Sequence, residues 1–272
     1  MYSKKTEVSF MALCAAALFC LTIQTSCAGD SDIQPDEDTV VTVPGPVKFA
    51  PQSIGLSVKK MDNKDTGGIS SQYLLYIPEG YNEHQEKLWP MIVYLHGQGE
   101  RGTDIDLVKN MGLPKKAASD KNFPFIVIAP QCNKATWWDL PSVSRLYTEA
   151  LKKYNIDQTR LYLTGNSMGG FACWEWAILR QDRFAAIVPI SAPKPDNWAD
   201  ACKTSTKPIW AIHNADDSQV PVANARFMRD TLTLKCKSTT FKYTEHATGG
   251  HDAWTKAYDD AALYEWLLQQ KK

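Results

Sequence analysis

The chain has 272 residues, of which 44% are apolar and 22% charged, an ordinary globular composition with enough length for one large α/β domain or two small ones. Its 30 basic and 30 acidic side chains cancel, and no Lys/Arg-rich stretch stands out, so it lacks the electrostatic footprint of a nucleic-acid-binding protein. Nine tryptophans are a generous number, and Trp is favoured where flat ligands such as sugars or aromatic rings bind.

At the amino terminus Lys4 and Lys5 precede an apolar run from Phe10 to Ile23, which reads as a secretory signal and is short for a membrane span. Gln24-Thr25-Ser26-Cys27 then places a cysteine after small residues. This resembles a bacterial lipoprotein signal, which implies lipidation of Cys27 as the first mature residue. Gln24 departs from the usual leucine, and cleavage after Ala28 with simple secretion is the alternative. Residues 28–47 are acidic, then Thr/Val/Pro-rich, a tether that cannot bury a core. Acidic residues soon after the cysteine resemble an export signal to the outer membrane. The expected organisation is a signal over 1–27, a tether over 28–47 and a folded domain over 48–272, outside the cytoplasm. In that domain Cys132, Cys173, Cys202 and Cys236 allow three disulfide pairings, and their irregular spacing gives no metal-site signature.

The segment from Phe49 to Tyr76, with Gly67-Gly68 between β-prone pieces, predicts an antiparallel hairpin at a sheet edge. Strands are then predicted over 72–77, 91–95, 125–129, 160–164, 185–190, 208–213 and 239–245. Several of them are apolar on successive residues, as buried parallel strands are. Helices are predicted over 143–154, 168–180, 223–234 and 255–270. This alternation predicts an α/β fold: a mostly parallel sheet covered by helices on both faces, with the hairpin at its edge. In such sheets ligands bind beyond the carboxyl ends of the strands. The loops there carry His96-Gly97-Gln98-Gly99, Trp137-Trp138, Asp216-Asp217 and the pair His246 and His251.

Gly165-Asn166-Ser167-Met168-Gly169 fits G-x-S-x-G between a predicted strand and a predicted helix, the tight turn that holds a serine hydroxyl clear of the backbone. A hydroxyl is a poor nucleophile near neutral pH, so it needs a base, and the base needs a carboxylate to fix its tautomer. Ser167 is followed by Asp216 or Asp217 and then by His251, the order of the α/β-hydrolase arrangement. His251 is preferred to His246 because Gly249-Gly250 lets the backbone turn sharply before it. His96 and His213, at strand ends, read as packed or backbone-bonded rings. Spacing does not choose between Asp216 and Asp217. For the oxyanion, the amides of Met168 and Gln98 are the candidate donors.

Trp89 to Gly102, with Ala129-Pro130-Gln131-Cys132, Trp137-Trp138, Gly165 to Gly170 and Gly250-His251-Asp252-Ala253-Trp254, resembles the secreted α/β-hydrolase esterases related to dienelactone hydrolases, polyhydroxybutyrate depolymerases and feruloyl or acetyl-xylan carbohydrate esterases. His213 to Pro221 resembles that family's acid loop, which implies Asp217 as the acid; Asn214 stands where the family usually has glycine. The resemblance runs from about Gln72 to the carboxyl terminus. It implies a serine esterase and is not specific for substrate; removal of acetyl or feruloyl groups from plant polysaccharides fits a secreted esterase of this resemblance. The triad supplies nucleophile, base and electrostatics unaided, so no cofactor is implied, and Trp138 and then Trp137 are candidate substrate contacts beside the nucleophile. The alternatives are a prolyl-oligopeptidase-type serine peptidase and a catalytically idle glycan-binding lipoprotein.

Overall fold

The computed structural model describes residues 49–63, 65–133 and 135–272. The signal over 1–27, Cys27 and the tether over 28–47 lie outside the described residues. The elements, in chain order, are strands β1 (Gly55–Lys60), β2 (Ile69–Ile77) and β3 (Trp89–Leu95), then helices α1 (Asp106–Lys109) and α2 (Gly112–Ser119). Next come β4 (Ile126–Cys132), α3 (Leu140–Lys153), β5 (Ile156–Asn166), α4 (Met168–Leu179), β6 (Ala186–Ile190) and β7 (Ile209–Asn214). The chain closes with α5 (Ala223–Asp230), β8 (Phe241–His246), α6 (Trp254–Asp259) and α7 (Ala261–Leu268).

Among the described residues the eight strands form one sheet in the order β1-β2-β4-β3-β5-β6-β7-β8. β1 pairs antiparallel with β2, which pairs antiparallel with β4; the pairings from β4 to β8 are parallel. The expected edge hairpin is therefore present.

The unbroken apolar runs have a simple cause, because alternate side chains of one strand enter different cores. On β3, Met91, Val93 and Leu95 face one core, while Ile92 and Tyr94 face the other. Leu161 and Leu163 of β5 join the first, and Tyr162 the second. Helices α3, α4 and α5 cover the first face through Leu146, Trp174, Trp176 and Met228. Helices α2, α6 and α7 cover the second through Leu113, Ala117, Tyr258, Leu263 and Leu267. Burying a side chain of this kind contributes about 1.5–3 kcal/mol, so the two faces account for much of the fold's stability.

Several boundaries differ from those predicted. The short helices α1 and α2 stand where no helix is predicted. The predicted 223–234 helix ends at Asp230 and passes into a π-turn over Thr231–Lys235. The predicted final helix is two helices, broken at Asp260, whose side chain accepts the amide of Ala262 at 2.9 Å. Cys202 and Cys236 form a disulfide that closes a separation of 34 residues, whereas Cys132 and Cys173 are free and buried. Among the described residues no helix is long and apolar enough to cross a membrane, and no group of three or more His, Cys, Asp or Glu is placed to hold a metal.

Candidate active site

The site lies at the carboxyl ends of the parallel strands. β5 ends at Asn166 and α4 begins at Met168, leaving Ser167 alone to make the turn at φ 52°, ψ −119°. A non-glycine residue there costs about 1–3 kcal/mol and persists only where its surroundings impose it. They do: the Ser167 amide donates to the Ile190 carbonyl at 2.9 Å, and Asn166 accepts the Tyr94 hydroxyl at 2.8 Å. The flanking glycines let the helix pack directly on β3. A Cβ on Gly165 would lie 2.5 Å from the carbonyl oxygen of Leu95, and one on Gly169 would collide with that same carbonyl.

His251, after β8, brings Nε2 to 2.8 Å from Ser167 Oγ and Nδ1 to 2.7 Å from Asp217 Oδ2. Asp217 is buried, and its other oxygen accepts the amides of Gln219 and Val220, each at 2.9 Å. Burial alone would raise the Asp217 pKa, but the hydrogen bonds from His251 and these two amides outweigh it and hold the carboxyl below the usual range. An ionised Asp217 fixes the proton on Nδ1 of His251. Nε2 is left to accept from the serine hydroxyl. The Trp254 ring stands edge-on to the His251 ring at 5.2 Å.

Asp216, the other carboxylate, does not reach the histidine side chain. It accepts the amides of Gly249 at 3.2 Å and Gly250 at 2.8 Å. His246 is the last residue of β8 and its backbone carbonyl accepts the Ala215 amide at 2.7 Å.

The two strand-end imidazoles are buried and bonded to backbone. His96 Nδ1 donates to the Gly97 carbonyl at 2.6 Å while Nε2 accepts the Cys132 amide at 2.9 Å; burial pulls its pKa down to about 4. His213 donates from Nε2 to the Val220 carbonyl at 2.9 Å, with Asp217 Oδ2 3.2 Å away, and burial lowers its pKa despite both contacts.

Gln98 is exposed and opens the short 3-10 turn Gln98–Glu100; Met168 is buried as the first residue of α4. The loop that carries Gln98 runs beside the nucleophile, since a Cβ on Gly97 would lie 3.6 Å from Ser167 Cβ. It is stitched to the end of β4. Gln131 donates to the carbonyls of Glu100 at 2.8 Å and Asp104 at 2.7 Å, and the Gly102 amide donates to the Cys132 carbonyl at 2.9 Å. Gln131 was visible in the sequence only as part of a motif, with no role attached.

The tryptophans divide. Trp138 is 9% exposed; its indole N–H donates to the His96 carbonyl at 3.1 Å and its ring packs on His96 at 4.7 Å. Trp137 is 52% exposed and stands edge-on at 5.4 Å to Phe171, in the first turn of α4. Of the pair, Trp137 offers the open aromatic face.

A strained serine at a strand–helix turn, bonded through histidine to a buried aspartate on an eight-stranded, mostly parallel sheet, defines an α/β-hydrolase fold. The chain is 32% identical over 162 residues to a bifunctional acetylxylan esterase/xylanase of Neocallimastix patriciarum, an alignment covering 57% of this chain and 23% of that protein. Among solved structures it is similar to a thermostable esterase, at 27% identity and a TM-score of 0.64, over 80% of this chain and 63% of that one. It is also similar to a ferulic acid esterase, at 20% identity and a TM-score of 0.52, over 78% and 95% of the two chains, a likeness of fold. The chain thus spans about a quarter of the bifunctional protein and under two thirds of the thermostable esterase. No protein-family model matches it.

Proposed function

We propose that the chain is a serine carboxylic-ester hydrolase, with Ser167 as nucleophile, His251 as base and Asp217 as acid. The observation that carries this reading is the continuous hydrogen-bonded line from Asp217 through His251 to the Ser167 hydroxyl. Ser167 Oγ attacks the ester carbonyl carbon as its proton passes to His251 Nε2. The oxyanion that forms is held by the amides of Met168 and Gln98, and each such donor is worth about 3–4 kcal/mol in the transition state. Collapse of the intermediate breaks the bond to the alcohol, which takes the proton from His251. Water then releases the acid by the same steps, with His251 again as base. The side chains and amides supply every part of this sequence, and the reading calls for no cofactor.

For substrate we propose an acetyl or feruloyl ester on a plant polysaccharide or its oligosaccharides. The alignment with the acetylxylan esterase/xylanase supports the carbohydrate ester. The open face of Trp137 beside Phe171 supports a flat group, a sugar or an aromatic acyl, next to the nucleophile. The same reading carries the domain out of the cytoplasm on the signal over 1–27, anchored by a lipid on Cys27. The Cys202–Cys236 disulfide supports an oxidising compartment.

The test is to incubate the protein with acetylated and feruloylated xylo-oligosaccharides side by side and measure acetate and ferulate released. Release of either supports the reading. Failure on every ester together with cleavage of peptides favours a serine peptidase, and failure to react with a fluorophosphonate favours a glycan-binding module.

A further inference from the structure

We propose that Asp216, Asn214 and Ser191 form a clamp that sets the position of His251 and so act as positioning residues for the hydrolysis proposed above, on which this inference rests. The three side chains come from the ends of two neighbouring strands, Ser191 from just after β6, Asn214 from the end of β7 and Asp216 from just beyond it. Their side-chain hydrogen bonds run to backbone and not to the Ser167 hydroxyl or the His251 ring. All three converge on the backbone that carries it.

The carboxylate of Asp216 accepts the amides of Gly249 and Gly250, one on each oxygen, at 3.2 and 2.8 Å. Asn214 donates from Nδ2 to the Gly250 carbonyl at 3.0 Å. Ser191 donates from Oγ to the carbonyl of His251 itself at 2.8 Å. The turn needs such support because Gly249 (φ 142°) and Gly250 (φ 59°) have the widest backbone freedom of any residue type. Two glycines before a base allow the sharp approach, and by themselves they would also let the ring wander. A misplacement of about 1 Å can cost 100-fold in rate.

Two further features point the same way. Ser191 is fully buried and holds φ 46°, a conformation unfavourable for serine, and in that conformation its hydroxyl bonds the His251 carbonyl. Asn214 is buried, and its side chain is packed against the turn. A Cβ on Gly249 would lie 2.5 Å from Asn214 Nδ2, so the asparagine occupies the space beside that glycine and turns it into a hydrogen bond one residue further on. Asn214 therefore holds the turn at the Gly250 carbonyl while Asp216 holds it at the amides of Gly249 and Gly250.

The experiment measures kcat, KM and the rate of fluorophosphonate labelling for the wild type and for Asp216→Ala, Asp216→Asn, Asn214→Gly, Asn214→Gly/Asp216→Ala and Ser167→Ala. Asp216 is exposed, so its variants should fold, which thermal melting checks. Asp216→Ala is expected to lower kcat roughly 10- to 100-fold with KM within about twofold. Labelling should slow by the same factor. Asp216→Asn keeps one of the two acceptors and should fall between. The double variant should lose less than the product of the two single losses, because both grip one turn. A folded Asp216→Ala protein with wild-type kcat and labelling rate overturns the clamp while leaving the esterase reading standing. Full turnover in Ser167→Ala overturns both together.

Discussion

Replacing Asp217 with asparagine tests the assignment of the acid through the tautomer of the base. Both oxygens of Asp217 face donors: Oδ1 takes the amides of Gln219 and Val220, and Oδ2 takes His251 Nδ1 with His213 Nε2 nearby. The side-chain amide that Asp217→Asn introduces must therefore point its NH2 at one of these pairs. Towards the backbone it would orphan two fixed N–H groups, at about 1–3 kcal/mol each. Towards the histidines the conflict has an escape, since His251 can move its proton from Nδ1 to Nε2. That is the cheaper outcome, and it destroys the base: Nε2–H then faces the Ser167 hydroxyl with no lone pair to take its proton. The same tautomer change in the serine protease template costs about 10⁴ in kcat. For this chain the expected loss is roughly 10³–10⁴, or about 4–5.5 kcal/mol of barrier, with KM nearly unchanged. Steady-state hydrolysis of p-nitrophenyl acetate at pH 7–8 reads it. Asp217→Asn turnover within tenfold of wild type would refute the reasoning.

Two other expectations follow from the structure. Burial takes the His96 imidazole down to about 4 from the ordinary 6.5, so the folded protein keeps it neutral while the unfolded chain protonates it. Its contribution is complete above pH 6.5 and is lost as the pH falls towards 4, about 2 kcal/mol of it by pH 5; Glu100 and Glu175, raised by burial, act in the opposite sense. NMR of the imidazole should show His96 neutral at pH 5, and titration near 6.5 would contradict the burial argument. The disulfide between Cys202 and Cys236 closes 34 residues, and its loss should destabilise the fold by about 3–4 kcal/mol. Urea unfolding of Cys202→Ser beside the wild type measures this, and equal midpoints would show that the crosslink carries no stability.

Much of the fold was legible because its strands are buried on both faces and so carry long apolar runs, and because Gly165 to Gly170 announces a turn with one geometry. The order of serine, aspartate and histidine nominated three side chains, and the structure brings those three within hydrogen-bond reach. What did not show is mostly local chemistry overridden by context. Helix α2 starts at Gly112 and contains Pro114, residue types that disfavour a helix, and it forms because Leu113 and Ala117 bury against the second core. Asp260 caps a new helix in the middle of an apolar period, and the period gives no sign of the break. β5 begins ahead of the apolar run, at Ile156, which pairs with Trp89 and buries in the first core, and the polar Asp157 to Arg160 between hide that start from the pattern. The roles of Ser191 and Gln131 depend wholly on tertiary contacts with backbone carbonyls, and no residue pattern encodes those. Between Asp216 and Asp217 the spacing was silent for a physical reason: both side chains engage the His251 turn, one through the ring and one through the backbone before it.

The central claim, that Ser167 is the nucleophile of an ester hydrolase, is tested most directly by Ser167→Ala. The wild-type protein should hydrolyse p-nitrophenyl acetate and carry a fluorophosphonate adduct that mass spectrometry maps to Ser167, and the folded variant should lose both turnover and adduct. Turnover in Ser167→Ala equal to that of the wild type, or an adduct on another residue, would contradict it.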